Sequence, residues 1–208
     1  MAAFLRLDTA HWGLSWAYFE RGRDRSARAA RNGWMVAFVE GSGMAGRPPG
    51  LGWARAGADR LDHQQSGRAE KRQTLVGRKI QPVTLDVVLH QSALHRRVGS
   101  PRIMSSQLLQ LADASTWPNV EVRILPFSQG LPAGVLPGGF VILDFGRDGK
   151  GRPVEPAVGY IENVLTANIY LEKRPDVDRY RAVSAALRDA ALSVTESRAL
   201  LRKVAKEY

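Results

Sequence analysis

Tyr160 and Glu162 stand two residues apart in AVGYIEN, so a strand there sets a phenol and a carboxylate on one side, with Gly159 and Ile161 on the other. Such a pair suits binding of a ligand amine or proton transfer. The structural alternative is an ion pair between Glu162 and Arg123, which lies on a candidate neighbouring strand, VEVRIL. His90 and His95 fall five apart after another strand, while His11 and His63 lie in the first third. With no Cys in the chain, a zinc site would need these imidazoles together with carboxylates, and their spacing does not gather them. GxGxxG after a strand, GxxxxGK[ST], HExxH and GxSxG are all missing. No cofactor and no metal are therefore expected, and no residue is assigned a catalytic role.

The stretch VRILPFSQG (122–130) raises a second question, because an alternating strand meets a Pro-Phe corner and then a long loop. Hairpin loops usually take two to five residues, so residues 126–139 need a reason for their length. Leu131, Val135 and Leu136 are apolar, which a solvated loop does not favour. The loop reads either as the lip of a pocket or as an arm over the helix–sheet seam. Val122 and Ile124 are expected inward and Arg123 opposite, with Phe127 buried as a plug at the strand end. Leu131 or Leu136 would then close one side of a pocket holding Tyr160 or Glu162. The candidate ligand-binding set is Glu162, Tyr160, Phe127, Leu131, Leu136 and Arg123.

The elements that must position these residues are legible after residue 80. VTLDVVL (83–89) reads as a strand. Ser100-Pro101 caps a helix in which Met104, Leu108 and Leu111 form one apolar stripe, ended by Trp117-Pro118-Asn119. VEVRIL (120–125), GFVILDF (139–145), AVGYIEN (157–163) and NIYL (168–171) supply further strands. Pro175-Asp176 opens a helix with Val177, Tyr180, Val183 and Leu187 on one face. Ser193-Val194-Thr195-Glu196 forms a capping box before a last helix carrying Leu200, Leu201 and Val204. The pattern predicts an α/β fold: a mixed β-sheet with packed helices and two C-terminal helices.

The 208 residues hold 44% hydrophobic and 24% charged side chains, ordinary values for a globular chain. No run of 18 apolar residues appears, and MAAFLRLDTAHWGLSW lacks a signal-peptide core. A cytoplasmic protein without a membrane span is expected. The net charge of +10 is uneven: residues 1–100 hold 16 Lys+Arg against 8 Asp+Glu, and residues 101–208 hold 14 against 12. Residues 1–70 read as a basic Arg-, Gly- and Trp-rich N-terminal extension, in which WMVAFVE suits a short strand or a buried helix turn. Residues 71–208 read as the α/β domain. Weak, non-specific nucleic-acid contact through residues 21–31 and 68–79 is a further expectation, since no base-reading motif accompanies the charge.

The run QTLVGRKIQPVTLDVVLHQSALHRRVGSPRIMSSQLLQLADASTWPNVEVRILPFSQG, followed by GGFVILDF, VGYIEN, NIYLEKRPDVDRYRAVSAALRDAAL and SVTESRALLRKVAKEY, resembles the effector-type domain DUF5753. The resemblance covers roughly residues 70–208. That domain normally sits C-terminal to an Xre-type helix-turn-helix in actinobacterial transcription regulators. The resemblance implies a regulatory domain that binds a small molecule or a partner protein, and it transfers no catalytic residue. Tyr160, Glu162, Pro126, Phe127 and Phe140 fit the family pattern. His90-Gln91 stands where the family usually has an acidic pair, and Pro132 where it commonly has a His. The first 70 residues show no helix-turn-helix pattern.

The leading expectation is a regulatory ligand- or partner-binding domain lacking its own DNA reader, in which a ligand beneath the Pro-Phe loop shifts the arrangement of the C-terminal helices. Those helices also offer a surface for a partner or a second copy. The alternative is an enzyme of a biosynthetic cluster on the same scaffold, using Glu162 and Tyr160 with His90 or His95.

Overall fold

Leu85, Val87 and Leu89 alternate to one side of their strand and Val88 to the other, and all four are buried. A strand apolar on both faces belongs inside a sheet covered on both sides. The computed structural model describes residues 34–39 (as backbone), 76–77, 79–80, 82–97, 100–134, 138–161 and 169–208. Its strands are β1 (Trp34–Val39), β2 (Thr84–His90), β3 (Val120–Leu125), β4 (Phe140–Asp144), β5 (Val158–Ile161) and β6 (Ile169–Leu171). Its helices are the single turn α1 (Ser92–His95), α2 (Pro101–Ala114), α3 (Arg174–Ala190) and α4 (Val194–Ala205). The fold is α/β with a mixed sheet, as the pattern predicts.

The strands form one sheet in the order β3-β2-β1-β4-β5-β6. β1, β2 and β3 run parallel, whereas β4, β5 and β6 each run antiparallel to the strand before them in that order. Parallel neighbours need a crossover, and α1 with α2 provides the one from β2 to β3. Asn119 fixes where both strands begin: its amide donates to the carbonyls of Val83 (2.8 Å) and Val76 (3.0 Å), and its own carbonyl accepts from Leu85 (2.8 Å).

WMVAFV is the strand β1, and it lies at the centre of the sheet, between β2 and β4. The expected boundary near residue 70 therefore cuts through the sheet, because it leaves that central strand upstream. The rest of the expected N-terminal extension lies outside the described residues.

Helices α2 and α4 cover one face of β2 and β3. Met104, Leu108 and Leu111 of α2 join Leu201 and Val204 of α4 over Leu85, Val87, Val122 and Ile124. Ser100 caps α2 by accepting from the Ile103 amide, with Pro101 at its first position. The capping box at Ser193 and Glu196 starts α4. On the other face Val177 and Leu187 of α3 pack over Val88, Leu125, Phe140 and Ile142. Gly159 of β5 admits β6 closely, since a Cβ there would sit 3.2 Å from that of Leu171.

The turn between α3 and α4 also guards the sheet edge. β3 is an outer strand, and its Ile124 carbonyl accepts from the Leu192 amide at 2.9 Å. The Ile124 amide donates to Ser197 Oγ at 2.9 Å, and Ser197 is fully buried. A long open edge strand invites pairing with other chains, and here Leu192 of the turn and Ser197 of α4 occupy both polar groups of Ile124.

Candidate functional site

The connection of residues 126–139 is long for a topological reason. β3 lies at one edge and β4 pairs with β1, so the chain crosses the ends of β2 and β1 to reach Phe140. Three strand spacings amount to about 14 Å, beyond a tight hairpin. The expected hairpin is thus corrected to a crossover that leaves β3 and enters β4 at the C-terminal end of the parallel strands. In open sheets with parallel strands, ligands seat at that end.

The first turn of this crossover builds a small platform against the end of β2. The Gln91 amide donates to the Leu125 carbonyl (2.8 Å), locking the two strand ends together. The Gln91 side-chain oxygen accepts from the Phe127 amide (3.0 Å), so one residue holds both sides of the Pro126 corner. Pro126 keeps φ at −75° and ψ at 155°, and Phe127–Gln129 then make a single 3₁₀ turn. Gly130 ends that turn at φ 58°, a left-handed conformation that favours glycine. The Phe127 ring meets His90 edge-on at 5.3 Å and stacks near-parallel with His95 at 6.4 Å.

Phe127 is nevertheless 55% exposed, which corrects its expected burial. The reason lies one step earlier in the chain. Leu125, fully buried, already fills the strand end beneath α3, and Ile124 fills the other face. No core position remains for the aromatic ring, so Phe127 turns outward and is steadied by imidazoles instead.

His90 is held as firmly. Its Nδ1 lies 2.7 Å from Ser92 Oγ and 3.4 Å from the Ser92 amide. A backbone N–H can only donate, so Nδ1 is the acceptor and Nε2 carries the proton in this arrangement. The contact is local, at the start of the one-turn helix α1. Among the described residues no carboxylate is hydrogen-bonded to His90, so the pair lacks the third group that orients a catalytic Ser–His dyad.

The other expected site residues do not assemble around Phe127. Tyr160 is buried on β5, where it projects from the face opposite α3 and lies 5.2 Å from the Tyr170 ring. Arg123 projects from the α3 face of β3, and its partner is Glu121 at 3.3 Å. β3 and β5 are separated by β2, β1 and β4, roughly 19 Å of sheet, so Arg123 is not on a strand neighbouring β5. Leu131 is 53% exposed and closes nothing over Tyr160. Glu162 and Leu136 lie outside the described residues, as do His11 and His63.

A second polar cluster escaped the sequence reading. Asp86, buried on the α3 face of β2, pairs with Arg188 in the last turn of α3, and Arg188 also holds Glu121. Burial raises the Asp86 carboxyl above the usual range, and the Arg188 guanidinium opposes that shift. Oδ1 of Asp86 and Nε of Arg123 are buried without hydrogen-bond partners. The signal was present in VTLDVVL, where one acid interrupts an otherwise apolar strand. Its partner, 102 residues away, was not readable. Among the described residues no group of three or more His, Asp and Glu converges on a point. No described helix is long and apolar enough to cross a membrane.

A family model described as a domain of unknown function, DUF5753, matches residues 52–203. No curated protein matches the chain, and no solved structure does. The match spans well over half of the sequence and runs from upstream of β2 into the last turn of α4. The chain belongs to the DUF5753 family.

Proposed function

We propose that this domain is a regulatory binding module whose ligand seats on the Phe127 platform at the C-terminal ends of β2 and β3. The observation that carries this reading is a large aromatic ring, 55% exposed, fixed by backbone and imidazole contacts rather than by the core. Exposed aromatic surface held in one place is suited to binding, because little conformational freedom remains to be lost when a ligand arrives. A role in transcriptional control, as in actinobacterial regulators with an Xre-type DNA reader, fits the family. So does action in the cytoplasm.

The mechanism is a population shift transmitted along β3. Phe127 lies three residues beyond Ile124, whose two backbone polar groups are held by Leu192 of the α3–α4 turn and Ser197 of α4. A ligand that moves the strand end has a direct mechanical connection to the C-terminal helices. The alternative of an enzyme built on Glu162 and Tyr160 would put its chemistry on β5 instead, where Tyr160 projects from the face opposite Arg123.

A thermal-shift screen of small molecules against the wild type and Phe127→Ala tests the reading, with hydrogen exchange following each hit. True ligands raise the melting temperature of the wild type, lose that effect in Phe127→Ala, and slow exchange at the Leu192 amide. Ligands that act equally on both proteins would place the site elsewhere. Unchanged exchange at Leu192 would remove the link to the helices.

A further inference from the structure

The platform has a charge sign. From Val87 to Ala112 the chain carries Arg96, Arg97 and Arg102, together with the imidazoles of His90 and His95, and no Asp or Glu. From Val122 to Leu143 it carries Arg123 and again no acid. These two stretches supply the C-terminal ends of β2 and β3, the helix turn beside Phe127 and the crossover. His95, Arg96 and Arg97 are exposed and follow one another directly. The acids next to this edge in sequence, Glu40 after β1 and Glu162 after β5, lie outside the described residues, and the C-terminal turn that Tyr208 anchors on the Leu94 carbonyl (3.0 Å) adds Lys206 and Glu207, of opposite sign.

The donors match the charge. Nδ1 of His90 is taken up by Ser92, which leaves a proton on Nε2 to donate. His95 lies near-parallel to Phe127. Guanidinium groups on Arg96 and Arg97 offer the fork that suits carboxylate oxygens. Among the described residues the apolar surface on offer is modest, chiefly one aromatic ring with Leu131 near it in the chain. Stable protein–protein interfaces need about 800 Å² from each partner, so a ring with Leu131 suits a small molecule better than a protein face.

We infer that the Phe127 platform takes a planar aromatic anion, with the ring against Phe127 and the negative group toward His95, Arg96 and Arg97. The inference rests on the binding role proposed above and adds the chemical class of the ligand. Charge decides the class: an aromatic ring without an anion would leave this basic edge unpaired, and a cation would be repelled by it.

The probes are 1-naphthoate, 1-naphthamide and 1-naphthylmethylamine, which share a ring and differ in charge. Each is titrated into the full-length chain labelled at its four His residues, with ring signals assigned by single His→Gln variants and followed by NMR. Naphthoate is expected to shift the His90 and His95 signals saturably and to bind about tenfold tighter than naphthamide at low salt. Arg96→Gln with Arg97→Gln should bring naphthoate down to the affinity of the amide. Equal binding of acid and amide would overturn the anionic assignment and leave the platform standing. Tighter binding of the amine would show that the neighbouring acids set the sign, again overturning the assignment alone. If none of the three shifts either imidazole, the assignment and the platform fall together.

Discussion

At Phe127 the ring is wedged between two imidazoles yet more than half open to water, and that geometry fixes what its loss should do. A fully enclosed Phe truncated to Ala costs about 3–5 kcal/mol. Here the expected loss is on the order of 1 kcal/mol, read from chemical denaturation, because no core cavity is created. A loss near the enclosed value would mean that other parts of the chain cover the ring. At Asp86 the sign runs differently from that of a surface acid. Burial, the largest influence, raises its folded carboxyl above the ordinary value. A folded carboxyl that holds its proton more tightly than the unfolded chain stabilises the fold in acid and loses that contribution as pH rises through its folded value. Asp86→Asn should therefore gain stability relative to the wild type as pH climbs from about 4 to 7. The opposite slope in paired denaturation curves would show that Arg188 outweighs burial. Arg188→Met, which leaves Asp86 buried without its cation, should cost on the order of 2–3 kcal/mol at neutral pH.

Elements were far more legible than sites. Ser100-Pro101 and the Ser193–Glu196 box marked helix starts because capping chemistry is local, settled by residues within one turn of each other. Alternation in VEVRIL told its two faces apart for the same reason: Val122 and Ile124 lie over one core, and Leu125 lies in the other. Strand order is not local. The VEVRIL and FVILD strands look like a hairpin with an overlong loop, yet β1, far upstream, lies between β2 and β4. Once that order is misjudged, Phe127 is assigned to a plug and Arg123 to the wrong neighbour. The expected site inherited that error of topology, since it set Arg123 beside β5 and Phe127 inside the sheet edge. The same non-local chemistry underlies Ser197, which sits in a helix pattern as an unremarkable serine. Its hydroxyl receives the Ile124 amide and donates to the Leu192 carbonyl (3.3 Å), deep in the core. Ser197→Ala removes the acceptor from a buried backbone N–H, for an expected loss of about 1–3 kcal/mol by denaturant unfolding. Loss below a few tenths would mean that Ile124 finds another acceptor and that the turn does not hold the edge of β3.

For the molecule as a whole, the decisive feature is that its central strand comes from the part of the chain that reads least like a domain. β1 donates and accepts along two neighbours, β2 on one side and β4 on the other, over six and five paired positions respectively. Without it the sheet divides into a parallel pair, β3-β2, and an antiparallel ladder, β4-β5-β6, joined by the crossover and by α3. Each half would then present an unpaired inner edge whose backbone groups had been satisfied by β1, and buried unpaired amides or carbonyls are costly. Helix α3 spans both halves, with Arg181 on Asp144 of β4 at 2.9 Å and Arg188 on β2 and β3, but side-chain links cannot replace a strand. A fragment of residues 70–208 keeps every capped helix and most of the apolar alternation. It should nonetheless unfold with a much shallower thermal transition than a fragment of residues 30–208, and bind dyes that report exposed apolar surface. Restoring β1 as a separate peptide spanning residues 30–42 should recover part of the cooperativity if the register Trp34↔Thr84 and Trp34↔Asp144 is the one formed. If residues 70–208 melt as sharply as the longer fragment, β2 and β4 close on each other without β1. The crossover of residues 126–139 would then span a narrower sheet, and the Phe127 platform would need a different support.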